Sequence, residues 1–219
     1  MKPDYNLAAV KAMETLIKHK ICTAPVDPLP IFKRTPGVLV LSFTEMSHKI
    51  GMDRDNLLTS FDTEQHDAVT SVHIEDGQLR YIVTYNQRLP LYLVQRALAR
   101  ELGHIILGHD GSKPEDVRMA EAYCFAHHLL CPRPLIRAVR NSGIPFTIEV
   151  LGAMTGCYER CLQRMRKTPP VYVPAELNLR VHALFADYIN NFLDYETYLM
   201  KTDESALADL GTYMDGYEE

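Results

Sequence analysis

Several features that would narrow the function at once are missing from this sequence. Its five cysteines, Cys22, Cys124, Cys131, Cys157 and Cys161, are odd in number and include no C-x-x-C pair. That excludes a disulfide framework and a zinc-ribbon spacing, and it points to a reducing cytosol. No uncharged run approaches the roughly 18 residues of a membrane span. The opening Met1-Lys2-Pro3-Asp4-Tyr5-Asn6 lacks the basic-then-apolar pattern of a signal peptide. A cytoplasmic protein with no membrane contact is expected. Positive charge is not in excess either: Lys and Arg number 23 against 28 Asp and Glu, a net charge of −5, so any grip on nucleic acid must be local. There is no internal repeat, and without a G-x-S-x-G or a Cys-His signature acyl-enzyme chemistry has no support.

What is present is a globular composition, 47% hydrophobic and 23% charged over 219 residues, long enough for a sizeable core. Apolar residues Ala9, Val10, Met13, Leu16 and Ile17 recur at helical spacing across residues 6–21, with Asp4 or Asn6 available as a cap. Pro25, Pro28 and Pro30 break the chain before a strand at 37–43. Residues 67–74 and 79–85 flank Glu75-Asp76-Gly77-Gln78 as an antiparallel hairpin. A helix over 91–107 follows, its core stripe running through Leu91, Val94, Leu98, Leu102, Ile105 and Ile106. A second helix starts near Pro114-Glu115-Asp116 and runs to Leu130, and further helices are expected at 135–141, 148–155, 158–167 and 176–199. The fold class is therefore α+β, a small antiparallel sheet packed on the 91–107 helix and followed by a helical C-terminal half. Pro169-Pro170 and Pro174 divide a domain at 1–168 from a helical extension at 169–219, whose acidic, Tyr-rich tail from Asp203 to Glu219 reads as a solvated or partner-docking terminus.

The chemistry concentrates in Arg100-Glu101-Leu102-Gly103-His104. On a helix, positions 100 and 104 share a face, the spacing by which H-E-x-x-H lets two imidazoles hold one zinc while the Glu polarises bound water. Here the first His is Arg100. The chain resembles the ImmA/IrrE family of zincin-like metallopeptidases in Tyr85-Asn86, Arg96, the run Ala99-Arg100-Glu101-Leu102-Gly103-His104-Ile105-Ile106-Leu107-Gly108-His109, and the Pro25-Val26-Asp27 turn. Glu121-Ala122-Tyr123-Cys124-Phe125-Ala126-His127-His128-Leu129-Leu130-Cys131-Pro132 looks like that family's E-A-N-x-F-A-x-x-L-L-M-P segment, and the likeness spans about residues 7–167. The resemblance implies zinc ligands at His104 and Glu121, a general base at Glu101, and a repressor-type or other regulatory protein as substrate, as in proteins encoded near mobile elements or phage and stress regulons.

Arg100 stands where the resemblance requires a ligand, and a guanidinium has only donors and stays protonated, so it coordinates no cation. Structural zinc is worth on the order of 10–16 kcal/mol at neutral pH, so one lost ligand removes several kcal/mol and an adjacent positive charge removes more. The alternative is that Arg100 bridges Glu101 or Glu121, its charge standing in for the ion. Cys124, at i+3 from Glu121, is a possible replacement ligand, whereas His109 beyond the helix end reads as a complement to the helix dipole. His127 and His128 read as one buried and one exposed residue, and Cys131, Cys157 and Cys161 as packing. The expected protein is thus a zincin-like peptidase relative with metal-dependent activity impaired or absent, or a metal-free protein-binding module that kept the cleft. If the metal ligand is the sole loss, Arg100→His restores zinc. A third reading takes 148–167 as a helix-turn-helix with basic Arg160, Arg164, Arg166 and Lys167. Net acidity and Tyr158 at the cap position favour a packing role over nucleic-acid contact.

Overall fold

A computed structural model of the chain describes residues 1–51, 67–75, 77–157, 159, 162–163 and 170–214. The first helix, α1 (Tyr5–Lys18), starts where the Asp4 carboxylate accepts the Leu7 N–H at 2.9 Å. It buries Ala8, Ala9, Ala12, Met13 and Leu16. A short α2 (Leu29–Lys33), with Pro30 tolerated in its first turn, leads to β1 (Val38–Ser42). The strand expected to reach residue 43 stops one residue sooner. Ser42 accepts the Glu45 N–H while the Glu45 carboxylate accepts the Ser42 N–H, and this capping box turns the chain into α3 (Phe43–Ile50) with Phe43 buried.

Among the described residues the sheet has three strands in the order β1-β3-β2, formed with β2 (Ala68–Glu75) and β3 (Gln78–Tyr85). The hairpin is antiparallel, pairing Ala68 with Tyr85, Thr70 with Val83 and Val72 with Tyr81. The α+β class holds, but β1 lies parallel to β3, Val38 opposite Tyr81 and Ser42 opposite Tyr85, so the sheet is mixed rather than purely antiparallel. Parallel neighbours need a long connection, and between β1 and β3 it takes in all of β2. Central position goes to β3, and β2 forms one edge.

Against this sheet lies α4 (Leu91–Ile106), and antiparallel to it α5 (Glu115–Leu130). The two helices come close at Gly103: a Cβ there would lie 3.1 Å from both the Ala122 carbonyl oxygen and Phe125 Cδ1. Beyond them are α6 (Arg133–Asn141) and α7 (Ile148–Thr155), the latter ending at Gly156, which adopts φ +71° against Pro25. Most of the helix expected at 158–167, and with it the second half of the helix-turn-helix outline, lies outside the described residues. The single helix expected at 176–199 is two, α8 (Ala175–Leu184) and α9 (Ala186–Met214), separated at Phe185, a fully buried side chain whose N–H bonds back to Val181 and His182. Leu177, Val181, Phe185 and Ile189 join Met13, Leu16, Leu98, Leu102, Phe125 and Leu129 in one buried cluster. Among the described residues no helix is long and apolar enough to cross a membrane.

Candidate functional site

A cleft of about 360 Å3 opens between β2, β3 and the facing sides of α4 and α5. Thr70, Val72 and Tyr81 line it from the sheet, Arg100, Glu101, His104 and Ile105 from α4, and Arg118 and Met119 from α5, with His109 between the two helices. Helical spacing places 100, 101 and 104 on the face of α4 that meets the sheet and α5. Gly108, at φ +65°, then lets the chain double back after the last turn of α4.

Two charge clusters adjoin the cleft. In the first, Glu101 Oε1 accepts from Arg100 Nε at 2.9 Å and from Nη2 at 2.7 Å, while Glu101 Oε2 accepts the Thr70 hydroxyl at 2.7 Å. Arg100 Nη2 also donates to the Ala68 carbonyl at 2.9 Å, pinning the guanidinium to the edge strand, and the guanidinium carbon lies 5.9 Å from the Tyr123 ring centroid. Both members of the pair are buried, Arg100 at 6% and Glu101 at 5% exposure. Burial alone would ease proton loss from Arg100, but the charge and hydrogen bonds of Glu101 outweigh it and hold the guanidinium pKa above its ordinary value. Of the two acids the sequence offers Arg100, it takes Glu101.

The second cluster holds Glu121. Its Oε2 lies 2.9 Å from His109 Nε2, and the Lys113 ammonium donates to Oε2 at 2.8 Å and to Oε1 at 3.0 Å. Oε1 also accepts the backbone N–H of Asp4 at 2.8 Å, tying the start of α1 to the site. Burial pushes the Glu121 carboxyl upward, but the Asp4 N–H, Lys113 and His109 together hold it below the usual carboxylate range. On its other side His109 Nδ1 lies 2.9 Å from His104 Nδ1. Burial, with His109, Arg100 and Arg118 nearby, lowers the His104 pKa to about 4, and burial lowers that of His109, so both rings are neutral at neutral pH. With one N–H per neutral ring, only one assignment satisfies both contacts without facing a lone pair at the carboxylate: His109 Nε2–H donates to Glu121, and His104 Nδ1–H donates to His109 Nδ1. His104 Nε2 is left as an acceptor at the cleft.

These residues do not fit the zinc that the resemblance implies. Position 100 offers no lone pair. An imidazole whose two nitrogens are both engaged lies between His104 and Glu121, and a lysine occupies both Glu121 oxygens. Among the described residues no group of three His, Cys, Asp or Glu is placed to hold a metal ion. Nor is Cys124 brought to the cleft as a further ligand. Its thiol faces the Tyr5 carbonyl at 3.5 Å, and burial pushes its pKa up to about 12, far from a coordinating thiolate. His128 is buried, its pKa lowered to about 4 mainly by burial, but His127 is half-buried with its Nδ1 buried rather than exposed as expected.

His109 and Lys113 are the residues that the sequence reading missed. Helical periodicity stops at Leu107, so a residue beyond it has no assigned face. The usable signal was Gly108 before His109 and Gly111 before Lys113, both at positive φ, which mark a chain that can reverse. Residues 54–148 match the family model of peptidase M78, described as the IrrE N-terminal-like domain. No curated protein and no solved structure matches the chain.

Proposed function

We propose, from the match of residues 54–148 to the IrrE N-terminal-like family model, that the chain is a zincin-like domain that docks a segment of a regulatory, repressor-type protein in the cytoplasm. Metal-dependent peptidase activity is lost in this reading. Its chief support is the Arg100–Glu101 pair. A general base needs a carboxylate oxygen free to take a proton from water. Glu101 instead accepts two N–H bonds from a permanent cation on one oxygen and a hydroxyl on the other. The second charge cluster repeats the pattern, with Lys113 and the His109 imidazole serving an acid that a metal would otherwise neutralise.

Peptide docking draws support from the edge strand beside the cleft. Among the described residues β2 pairs only with β3, leaving its other edge for an extended chain, and Val72 at 51% and Ile74 at 78% exposure carry apolar surface along it. Cys22, Cys124, Cys131 and Cys157 are all free thiols, in keeping with a reducing compartment.

Untagged protein is expected to purify with far less than one zinc per chain by elemental analysis, and to leave peptides uncut with or without added zinc. One tightly held zinc per chain, lost on changing Glu121→Ala, would sink the proposal.

A further inference from the structure

Arg118 sits on α5 one turn before Glu121 and lines the same cleft. Arg100, also in the cleft lining, is engaged with Glu101, and nearby Lys113 with Glu121. Arg118 has no carboxylate partner among the described residues, although Glu115 lines the cleft on the same helix, and its Nε is buried without a hydrogen-bond partner. It is half-buried and lines the cleft together with His104 and His109. A partly buried guanidinium with an unused donor is an anion site awaiting its anion. Because Glu115 and Glu121 lie close by, one unpaired cation suits a monoanion better than a phosphate dianion.

We propose that Arg118 anchors a carboxylate carried by the docked peptide, a deepening that rests on the docking function above. The surroundings set the neighbouring chemistry. Val72, Tyr81, Ile105 and Met119 form an apolar wall beside the guanidinium, which suits an aliphatic residue next to the acid. The carboxylate has two possible sources, an acidic side chain or a free chain terminus, and Arg118 recognises the group common to both.

The test uses the full chain and one fluorescein-labelled peptide of alternating alanine and leucine in three forms: free C-terminal carboxylate, C-terminal amide, and C-terminal amide with one internal glutamate. Fluorescence polarisation should show at least one carboxylate form binding about tenfold or more tighter than the neutral amide. Which form gains identifies the source. In Arg118→Ala and Arg118→Gln that preference should vanish while the neutral peptide keeps its affinity, and Arg118→Lys should retain part of it. A role for Arg118 in packing alone would lower all three affinities together. If the neutral form binds as tightly as both acids, or if the preference survives in Arg118→Ala, the anchor is overturned while docking stands. If no form binds, anchor and docking fail together.

Discussion

At residue 100 a single side chain decides what its neighbours can be. Arg100 and Glu101 are buried together, so removing one strands the other. Arg100→Ala is expected to cost about 3–5 kcal/mol by leaving Glu101 buried and unpaired, whereas Arg100→Met combined with Glu101→Gln should recover most of that loss, as read from urea unfolding midpoints. Arg100→His supplies a zinc donor but leaves Glu121 held by Lys113 and His109. Zinc titration by calorimetry should therefore show little binding to that single variant and a clear gain when Lys113→Ala and His109→Ala are added. The condition under which Arg100→His alone restores zinc, that the ligand is the sole loss, is the one this titration examines. The pairing of Arg100 with an adjacent acid was legible, because a buried guanidinium demands one. The lysine was not, since its reach depends on a loop path fixed by Gly108 and Gly111 rather than by any periodic pattern.

Among the elements, α4 and α5 matter most, because their approach sets the gap between His104 and Glu121. Gly103 permits it. Gly103→Ala places a methyl 3.1 Å from the Ala122 carbonyl and the Phe125 ring, so the helices must part by a few tenths of an ångström. A loss of about 1–3 kcal/mol is expected, with crosspeaks of residues 104 and 121 shifting in amide NMR spectra. Both helices were readable nearly to the residue, α4 from its apolar stripe and α5 from the Pro114-Glu115-Asp116 start and the prolines that follow Leu130. The start of α3 was hidden for a specific reason. Val38-Leu39-Val40-Leu41 is such a strong strand signal that Phe43 read as its continuation, although Ser42 and Glu45 carry the spacing of a capping box. The direction of β1 was hidden too, because an apolar run marks a buried strand without saying which way it lies against its neighbour.

For the whole molecule, the buried histidines give a direction to acid sensitivity. His104 and His128 have folded pKa values near 4 against about 6.5 when unfolded. Below pH 6.5 the unfolded chain therefore binds more protons than the folded one. The stability tied to these neutral rings is complete above pH 6.5 and drains away as pH falls toward 4, by about 3 kcal/mol for the well-buried His128. Urea midpoints should drop steeply between pH 6.5 and 4, and His128→Gln should flatten part of that slope.

The bond from the Asp4 amide to Glu121 joins positions 117 apart in sequence. One main-chain proton at the threshold of the first helix thus listens to an acid deep in the groove. Its deuterium exchange offers a built-in gauge: whatever draws Glu121 away should expose that proton, and occupancy of the groove can be followed from the far end of the chain without any label.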